Sequence, residues 1–465
     1  MNETVPYKFK KQIADTLTPV GIFRRLKGEK KFLLESSFQH ERKGKYSFIG
    51  VDPYLEVIGY GATTAIINHE EDTSETLQID ALQYIQKHFP KIDTDLPLPF
   101  YGGAIGYVGY DTIRQFEAIG EDLPDELNMP DTHLMIYKNV YVFDHANEII
   151  YLIAMNPDQE VEKVLEERLR HLESQLGNEP NKTEHELTDV QFQPEMTEEV
   201  FKEKVVKAKQ LIQNGEIEQV VLSQRMKAAF DGDPFSFYRK LRNANPSPYM
   251  FYIEFTDYLV LGASPESLIQ TTGEEIVTNP IAGTRPRGST GAEDEVLMND
   301  LLSDEKEISE HQMLVDLSKK DLDRVSEIGS VTVPSYMAIE KYQYVMHIVS
   351  EVQGKLKTHL TSMDALIACL PAGTVSGAPK TRAMQIINEF ETKKRGVYGG
   401  GIGYINFNHD LNMALAIRSL VIKNKEAYLQ AGAGIVNDSI PEKEFAETLH
   451  KAKALMKMND VALIN

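Results

Sequence analysis

The chain has 465 residues, 42% apolar and 26% charged, which is ordinary for a globular protein and enough for one large domain or two. Its formal net charge of −21 argues against sequence-independent DNA or RNA binding, which needs a basic surface, but a local basic pocket for a small anion stays possible. One cysteine, Cys369, cannot form an internal disulfide, and no apolar run approaches the ~18 residues of a membrane span. We therefore expect a cytoplasmic protein; its N-terminus lacks an apolar signal core.

The first 155 residues alternate short apolar runs with turns rich in Gly, Pro and Asp, which predicts mainly strands. The predicted strands are KFLLESS, YSFIGV, YLEVIGY, TAIINH and IIYLIAM. The run DALQYIQKHF predicts a helix, and DQEVEKVLEERLRHLESQL predicts a charged amphipathic helix. The polar stretch GNEPNKTEHELTD follows, and it predicts a linker near residues 177–190.

A second region opens at Thr197, which we predict to cap a helix that stops near Gly215. The run EQVVLSQRMKAAF then predicts a strand, and strands and helices mix from there to about residue 457. This order is not a clean βαβ alternation, so an α+β fold is predicted rather than a doubly wound sheet. We predict two domains, residues 1–180 and 190–460.

One phrase occurs twice, as YGGAIGYVGY at residues 101–110 and as YGGGIGYINF at residues 398–407. Glycine-rich strands of this kind indicate close approach of backbones or sharp curvature of a sheet. We interpret the two copies as strands of shared geometry, with an old duplication as an alternative.

Two predicted helices each carry carboxylates three residues apart, on one face. Glu307 and Glu310 lie in DEKEISEHQMLVDL. Glu444 and Glu447 lie in PEKEFAETLHKAKAL, and Lys451 follows one turn later. Carboxylates from two helices at a shared pocket would suit Mg²⁺, although solvated helix faces explain the same spacing.

Further signals are modest when taken singly. Gly432, Ala433 and Gly434 follow a predicted strand and would let backbone N–H groups approach an anion, as many tight turns do. Arg418 lies in the predicted strand LNMALAIRSLVI, where a buried guanidinium needs a structural or a substrate carboxylate. His347 in YVMHIVS is either a core residue or a site residue. Together these residues predict a pocket for a small acid with two carboxylates.

Two other glycine-containing stretches are predicted to form bends. NPIAGTRPRG, residues 279–288, predicts a bend that carries Arg285 and Arg287 beside the small residue Ala282. LPAGTVSGAPKTRAM predicts a bend that enters a helix, but it lacks the Gly-Lys-Ser/Thr spacing of a phosphate-binding loop. Nucleotide binding is therefore not predicted.

Five segments together resemble the chorismate-utilising enzymes. PIAGTRPRG, DEKEISEHQMLVDL, LPAGTVSGAPKTRAM, RGVYGGGIGY and QAGAGIVNDSIPEKEFAET follow one another in that family's order over roughly residues 197–457. FLLESS and YSFIGVDP, near the N-terminus, resemble its anthranilate synthase component I branch. The resemblance implies an α+β fold with two antiparallel β-sheets packed as a sandwich and helices around them.

The resemblance also implies a site for chorismate, a dianion. One carboxylate would be bound through Mg²⁺, with Glu310 and Glu447 as ligands. The implied catalytic residues are Glu307, which would protonate the departing 4-hydroxyl, His347, which would assist the later loss of pyruvate, Thr374 and Lys451. The implied substrate-binding residues are Gly283, Thr284, Tyr398, Arg418, Gly432, Ala433 and Gly434. A regulatory tryptophan pocket would be formed by Ser36, Pro248, Tyr249 and Met250.

Two positions bear on the nucleophile. Family members that add water carry a lysine base where this chain has Gln219, and aminodeoxychorismate synthases carry a lysine nucleophile in place of Ala282. The chain is thus expected to add ammonia directly at C2 and then to lose pyruvate, which gives anthranilate. Arg285 and Arg287 are expected to be mainly structural.

The resemblance implies that a separate glutamine amidotransferase subunit (component II) supplies the ammonia and that tryptophan inhibits. No nucleic acid or membrane partner is expected. The alternatives are an aminodeoxychorismate synthase component I of the folate branch and a non-catalytic tryptophan-binding regulator. Heterodimer and heterotetramer both stay open. The chain departs from the family at DLSKKDLDRV, where Lys319, Lys320 and Asp323 replace Arg, Asn and Gly, which puts local turn geometry in doubt.

Overall fold

The structure, a computed structural model, describes residues 4–36, 45–181, 190–342 and 344–456. These residues form two antiparallel β-sheets of 12 strands each, with ten helices around them. The predicted α+β fold with two packed antiparallel sheets is confirmed. No helix in these ranges is long and apolar enough to cross a membrane.

The strands were assigned in chain order. They are β1 (Tyr7–Ile13), β2 (Phe32–Glu35), β3 (Tyr46–Gly50), β4 (Leu55–Tyr60), β5 (Thr63–Asn68), β6 (Thr73–Leu77), β7 (Gly103–Val108), β8 (Thr132–Tyr137), β9 (Asn139–Asp144), β10 (Ile149–Met155), β11 (Gln193–Pro194), β12 (Gln219–Ala229), β13 (Tyr249–Glu254), β14 (Tyr258–Ser264), β15 (Ser267–Thr272), β16 (Glu275–Asn279), β17 (Ile281–Pro286), β18 (Thr332–Lys341), β19 (Val345–Lys355), β20 (Gly377–Ala378), β21 (Gly401–Asn406), β22 (Leu411–Leu415), β23 (Ser419–Lys423) and β24 (Glu426–Ile435).

The helices are α1 (Pro19–Arg25), α2 (Ala81–His88), α3 (Glu162–Leu176), α4 (Glu198–Gln213), α5 (Pro234–Ala244), α6 (Gly291–Ser303), α7 (Glu305–Asp323), α8 (Ser362–Cys369), α9 (Lys380–Phe390) and α10 (Pro441–Met456). Short 3₁₀ helices cover Tyr110–Gln115 and Gly373–Val375. The strands predicted before residue 156 and the helices predicted at 80–89, 158–176 and after Thr197 are all present.

Each sheet contains strands from both predicted regions. Sheet one has the order β1-β10-β9-β3-β2-β13-β14-β23-β24-β12-β11, with β20 beside β12. Sheet two has the order β17-β19-β16-β15-β22-β21-β7-β8-β4-β5-β6, with β18 beside β19. The regions 1–180 and 190–460 meet at the β2–β13 junction in sheet one and at the β7–β21 junction in sheet two. Most of the predicted linker, residues 182–189, lies outside the described residues.

Sheet one is apolar on both faces because both are covered. In β9, Val140 and Val142 belong to the core between the sheets, whereas Tyr141 and Phe143 pack beneath the outer helices. Successive side chains of a strand point to opposite faces, so a continuous apolar run results. The core between the sheets also holds β4, β7, β8 and β21 of sheet two, which confirms the sandwich.

The repeated glycine phrase forms the β7–β21 junction, where the two copies pair with each other. Gly106 lies opposite Gly403 in the antiparallel register. A Cβ on Gly106 would lie 1.9 Å from the carbonyl oxygen of His133, and one on Gly403 would lie 2.1 Å from that of Asn412. Side chains are therefore excluded by backbone, which agrees with the interpretation of shared strand geometry.

Two chain segments cross between the sheets side by side. Pro265 and Glu266 join β14 of sheet one to β15 of sheet two, and residues 416–418 join β22 of sheet two to β23 of sheet one. Backbone hydrogen bonds link the crossings: Leu415 N–H to Glu266 at 3.0 Å, and Ala263 N–H to Arg418 at 3.1 Å. We call this pair of segments the sheet crossings.

Two local predictions were wrong. LNMALAIRSLVI is not one strand: it breaks at Arg418, which has φ 52°, because its two halves belong to different sheets. The stretch predicted as a bend around Ala282 contains strand β17, which pairs with β19 and has a register shift at Gly283. Gly283 has φ 67°, a conformation that favours glycine.

Candidate active site

The predicted site residues lie on five elements that converge beside β24. Helices α7 and α10 supply the carboxylates and Lys451, strands β17 and β19 supply Gly283, Thr284 and His347, and the sheet crossings supply Arg418. Tyr398 precedes β21, and its hydroxyl would lie 2.9 Å from a Cβ on Gly432. The structure thus brings most of the predicted active-site residues to one place.

Gly432, Ala433 and Gly434 lie inside β24 rather than after a strand. Strand β23 pairs with β24 only at residues 426–429, so no strand among the described residues pairs with residues 430–435 on the edge that faces away from β12. We call this the open edge of β24.

The hydrogen bonds of β12 show which glycines face the open edge. Ser223 and Val221 pair with Gly432 and Gly434, and their own N–H groups point away, to Glu391 and Ser376. In an antiparallel ladder such pairs direct their backbone groups outward on both strands. The N–H groups of Gly432 and Gly434 therefore face the open edge, an arrangement that suits an anion.

Ala433 has a different position from its neighbours. It pairs with Leu222, and its methyl group is fully buried in the cluster that packs helices α4 and α9 against β12. The structure therefore gives Ala433 a packing role and does not bring its side chain to the open edge.

Lys451 closes the open edge from the side of α10. Its Nζ donates to the carbonyl oxygen of Gly432 at 3.0 Å and pairs with Glu447 Oε1 at 2.7 Å. From α7, Glu310 Oε1 would lie 3.8 Å from a Cβ on Gly434. Glu310 and Glu447 thus flank the same edge from two helices.

The carboxylates repel one another. Burial, with the charges of Glu310 and Asp304, raises the pKa of Glu307. Burial and the charge of Glu447 likewise raise the pKa of Glu444, although Ser439 and nearby lysines oppose the rise. A cation at this position would relieve that repulsion.

The donor set fits Mg²⁺. Within the described ranges no three His, Cys, Asp or Glu side chains are grouped to hold a metal on their own. Mg²⁺ usually binds proteins through one or two carboxylates and completes its shell with water and substrate oxygens. Glu310 and Glu447 are the pair that could hold it.

A buried carboxyl that the sequence analysis missed lies in the sheet crossings. Glu266 is only 6% exposed, and its Oε1 accepts a hydrogen bond from Thr374 Oγ1 at 2.8 Å. Burial raises its pKa to about 8, although Thr374 and the charge of Lys451 oppose the rise. Glu266 therefore carries a proton at neutral pH, and the predicted residue Thr374 holds it. A lone Glu between apolar runs, in LGASPESLIQ, was the available signal.

Arg418 lies in the same crossings and has capacity for an anion. Its Nη1 donates to the carbonyl oxygen of Lys451. No ion pair joins Arg418 to a carboxylate in the part of the chain that the structure describes, and burial lowers its pKa. A largely desolvated guanidinium of this kind strongly favours a bound carboxylate.

His347 is held in one tautomer. Its Nδ1 lies 2.9 Å from the carbonyl oxygen of Gly283 and 3.1 Å from Thr284 Oγ1. A carbonyl can only accept, so Nδ1 carries the proton and Nε2 has a free lone pair. Burial, with the charge of Arg418, lowers the pKa of His347. The neutral ring can act as a base through Nε2.

The sequence profile of the family described as chorismate binding enzyme matches residues 29–457. Anthranilate synthase component 1 of Lactococcus lactis subsp. lactis (strain IL1403) is 47% identical over 455 residues, which cover 97% of this chain and 99% of that protein. The chain belongs to the anthranilate synthase component 1 family of chorismate binding enzymes.

Solved structures agree with this assignment. Anthranilate synthase component I from Streptococcus pneumoniae TIGR4 superimposes with a TM-score of 0.83 at 41% identity, over 96% of this chain and 99% of that chain. The menaquinone-specific isochorismate synthase of Escherichia coli superimposes with a TM-score of 0.72 at 18% identity, over 98% of this chain and 96% of that chain. At that identity the second match supports the fold alone.

Gln219 and Ala282, the two positions expected to bear on the nucleophile, lie in distinct surroundings. Gln219 Nε2 is 3.5 Å from Glu310 Oε1, and its Oε1 is buried without a hydrogen-bond partner. Ala282 packs against a small cluster that includes Leu314 and Ala378. The first position is in the site, and the second borders it through β17.

Arg285 and Arg287 are committed to structural ion pairs, as expected. Arg285 pairs with Asp300 at 2.6 Å and Asp304 at 2.8 Å. Arg287 pairs with Asp294 at 2.6 Å, and this partnership lowers the pKa of Asp294 to about 2. These contacts fix β17 against α6 and the start of α7.

The predicted regulatory residues form a separate group at the β2–β13 junction. Met250 pairs with Glu35 across the strands, and Pro248 and Tyr249 lead into β13. The Oγ of Ser36 and the Oε1 of Glu35 are both buried and have no hydrogen-bond partner within the described part of the chain. Glu35 was not predicted; its other oxygen accepts from Tyr238 and Arg242 at 2.8 and 2.9 Å.

The departure from the family pattern is accommodated within α7. The helix continues to Asp323 without a break, and Lys319 pairs with Asp316 at 3.8 Å. Lys320 and Asp323 are exposed.

Proposed function

We propose that this chain converts chorismate and ammonia into anthranilate, pyruvate and water, the first step of tryptophan biosynthesis. The single observation that carries the proposal is the open edge of β24, where two glycine N–H groups, Lys451 and the carboxylates of Glu310 and Glu447 meet. These groups suit a dianion, and the match to the chorismate binding enzyme family, with 47% identity over nearly the full length of anthranilate synthase component 1 of Lactococcus lactis, supports chorismate as the substrate.

We assign the two carboxylates of chorismate to different groups. The ring carboxylate binds at Gly432 and Gly434. Glu310 and Glu447 would hold Mg²⁺ there, and the cation would neutralise charge on the substrate. The enolpyruvyl carboxylate meets Arg418 and Tyr398. Gly283 and Thr284 line the ring pocket beside His347.

The proton donor for the 4-hydroxyl is Glu266 in this proposal, in place of Glu307. Glu266 is 6% exposed, and its pKa of about 8 keeps the carboxyl protonated where the enzyme works. The side chain of Glu307 is 26% exposed, and Arg285 at 4.0 Å opposes the rise in its pKa that burial and the charges of Glu310 and Asp304 cause. Thr374 orients Glu266 through its hydroxyl.

Ammonia then adds directly to the ring. The Glu266 proton passes to the 4-hydroxyl, the C4–O bond breaks, the two ring double bonds shift, and ammonia bonds to C2. Water leaves, and the added ammonium group returns a proton to the carboxylate of Glu266. Gln219 is neutral and cannot act as the base that water addition requires, so ammonia is favoured as the nucleophile.

Loss of pyruvate follows at His347. Its Nε2 takes the hydrogen from C2, the bond between C3 and the enolpyruvyl oxygen breaks, and the ring becomes aromatic. The released enolate takes up a proton to form pyruvate. The hydrogen bond from Nδ1–H to Gly283 orients the imidazole for this step.

Regulation and ammonia supply complete the proposal. Tryptophan binds at the β2–β13 junction beside Ser36, Pro248, Tyr249 and Met250, where its amino group meets the unpartnered Oε1 of Glu35. A separate glutamine amidotransferase subunit supplies ammonia. The region 1–180 then contributes Glu35 and Ser36 to the regulatory pocket, and 190–460 contributes Pro248, Tyr249 and Met250 and carries the catalytic residues. The single cysteine is buried and free, which fits a cytoplasmic location.

The deciding assay uses the purified chain with chorismate, Mg²⁺ and an ammonium salt at mildly alkaline pH. Anthranilate is followed by its blue fluorescence, with and without tryptophan. We expect fluorescence that requires Mg²⁺, is suppressed by tryptophan, and is lost in Glu310→Gln. Glu35→Gln should keep the activity and weaken inhibition at least about tenfold, since a charged hydrogen bond is lost.

Three other results would contradict parts of the proposal. A non-fluorescent amino-chorismate would indicate the folate-branch reaction. Tryptophan binding without chorismate consumption would indicate a regulator with no enzyme activity. Unchanged inhibition of Glu35→Gln would place the tryptophan site elsewhere.

A further inference from the structure

Arg395 is a buried cation that the mechanism above does not use. It is 3% exposed and lies between α9 and Tyr398. Its charge is matched by Glu391, itself 8% exposed, through Nε–H to Oε2 at 2.8 Å and Nη2–H to Oε1 at 2.6 Å. A buried ion pair of this kind is weak evidence for a role in stability alone.

The guanidinium holds two backbone segments that carry site residues. Nη1 donates to the carbonyl oxygen of Val375 at 2.6 Å, and Val375 follows Thr374, which binds Glu266. Nη2 donates to the carbonyl oxygen of Val221 at 2.9 Å, in the strand that begins with Gln219. One side chain therefore fixes the 3₁₀ helix of Thr374 against β12.

The same guanidinium contacts the ring of the substrate-binding tyrosine. Its carbon lies 5.6 Å from the ring centroid of Tyr398 and 4.7 Å from that of Tyr110. Tyr398 is 8% exposed, and its hydroxyl lies over the position of Gly432. Cation–π attraction to a desolvated guanidinium contributes about 2 kcal/mol in favourable cases, enough to hold a ring orientation.

Glu391 extends this arrangement to the strand beneath the open edge. Its Oε1 accepts from the N–H of Ser223 at 3.0 Å and from Ser223 Oγ at 2.8 Å. Ser223 lies opposite Gly432 in the β12–β24 ladder. The pair Arg395–Glu391 thus contacts the ring of Tyr398 and the segments next to three other site residues. These are Thr374, Gln219 and Gly432.

We propose that Arg395, held by Glu391, is a positioning residue for chorismate binding that acts by aiming the hydroxyl of Tyr398 at the enolpyruvyl carboxylate. This inference rests on the proposed function. Lysine cannot replace arginine here. The planar guanidinium donates to Glu391, Val375 and Val221 and at the same time lies against a tyrosine ring, whereas a single ammonium group cannot make all these contacts.

The test is a double-mutant cycle of Arg395→Lys and Tyr398→Phe, read as KM for chorismate and kcat separately. Arg395→Lys should raise KM at least about tenfold, with a smaller change in kcat. In the Tyr398→Phe background, where the hydroxyl is missing, the same change should raise KM by less than about twofold. Arg382→Lys, at a surface ion pair of α9 with Glu216 and Glu389, is the matched control and should leave KM unchanged.

Two results would overturn the proposal. One is an equal rise in KM in both backgrounds, which a merely structural role predicts. The other is an unchanged KM for Arg395→Lys. If Arg395→Lys does not fold, Glu391→Gln replaces it, because glutamine keeps the shape of the glutamate. Glu391→Gln should also raise KM in the wild-type background and have little effect on KM in the Tyr398→Phe background.

The wild-type chain is assayed alongside. If it forms no anthranilate, the proposed reaction fails, and the cycle is repeated on chorismate affinity by calorimetry. Coupling of the two substitutions in affinity would then still support the positioning role, and additivity would still overturn it.

Discussion

At the scale of single residues, Glu266 is the group whose surroundings most alter its chemistry. A carboxyl in water is ionised at neutral pH, but Glu266 is almost fully buried, and the desolvation that raises its pKa to about 8 outweighs the hydrogen bond from Thr374. Such a group can deliver a proton at the pH of a cell. Burial also makes it the residue whose titration should be most visible.

We predict that Glu266→Gln lowers kcat by about 10²–10⁴-fold, the usual contribution of a general acid. The wild-type kcat should fall as pH rises through about 8, because the donor loses its proton. The measurement is a pH series with free ammonia held constant. Glu307→Gln is the matched control and should keep the fall near pH 8; loss of the fall in Glu307→Gln instead would restore Glu307 as the donor.

Stability should depend on the same proton. The pKa of Glu266 is higher in the folded chain than its usual 4.5, so the folded state binds the proton more tightly. This contribution is present below about pH 4.5 and is lost as pH rises through about 8. Wild type should therefore lose a few kcal/mol relative to Glu266→Gln over that window, on the order of 1.4 per pKa unit.

Denaturant unfolding of the two proteins at pH 5 and pH 9 measures this difference. A difference in unfolding free energy that is the same at both pH values would show that Glu266 titrates normally.

The sequence predicted which charged residues lie in the site better than it predicted their burial and protonation. Arg418 was noticed because it stands alone in an apolar run, and Glu266 stands alone in the same way but between strands, next to a proline that resembles a turn signal. Burial of a turn residue depends on which sheets it joins. That information is absent from spacing, so Glu266 in one crossing was missed, whereas Arg418 in the other crossing was found from its isolation in an apolar run.

At the scale of secondary-structure elements, β24 combines two demands on one strand. One edge pairs with β12, and the other stays open at Gly432 and Gly434. The absence of side chains there leaves room for the Tyr398 hydroxyl and the Gln219 amide. Glycine normally weakens a strand, so its presence twice reflects the close approach of these groups.

We predict that Gly434→Ala lowers kcat/KM for chorismate at least about tenfold with little loss of stability. The new Cβ would lie 2.4 Å from Gln219 Nε2, the end of a flexible side chain that can move, but only out of its place beside Glu310. Steady-state kinetics and thermal melts measure both effects. Gly291→Ala, which meets nothing within 4 Å, is the control and should change neither.

An unchanged kcat/KM in Gly434→Ala, with the fold intact, would contradict the role of the open edge.

Element types followed from local pattern, whereas element partners did not. The short strands before residue 156 and the capped helix after Thr197 were predicted because alternation and capping are local signals. The continuous apolar run around Arg418 predicted a single strand, because hydrophobic periodicity reports burial and not which sheet covers a residue. The sequence pattern therefore could not predict the crossing, which follows from the pairing of β22 and β23 in different sheets.

At the scale of the whole molecule, the two regions share both sheets. The β2–β13 and β7–β21 junctions lie inside sheets, and the core between the sheets draws on residues from both regions. The boundary near residues 177–190 was predicted from composition, which marks a connection in the chain. It does not mark a break in the core, because strand pairing over such distances leaves no local signature.

We predict that the full chain unfolds in a single cooperative transition and that residues 190–465 expressed alone do not fold. Separation would expose β13 and β21 as unpaired edges and uncover apolar core. Calorimetry and circular dichroism measure the two statements. Two separate transitions, or a folded and monomeric C-terminal region, would contradict them.

The sheet crossings also have a mechanical consequence. Glu266 and Arg418 belong to segments that are covalently continuous with both sheets and hydrogen-bonded to each other, so any sliding of one sheet over the other must deform this point. A dianion bound between Glu266 and Arg418 would connect the two crossings and would oppose sliding of the sheets. Binding of the substrate should therefore make the two-sheet sandwich more rigid and slow amide hydrogen exchange in strands far from the ligand. A molecule bound at the β2–β13 junction would affect the same sliding of one sheet over the other.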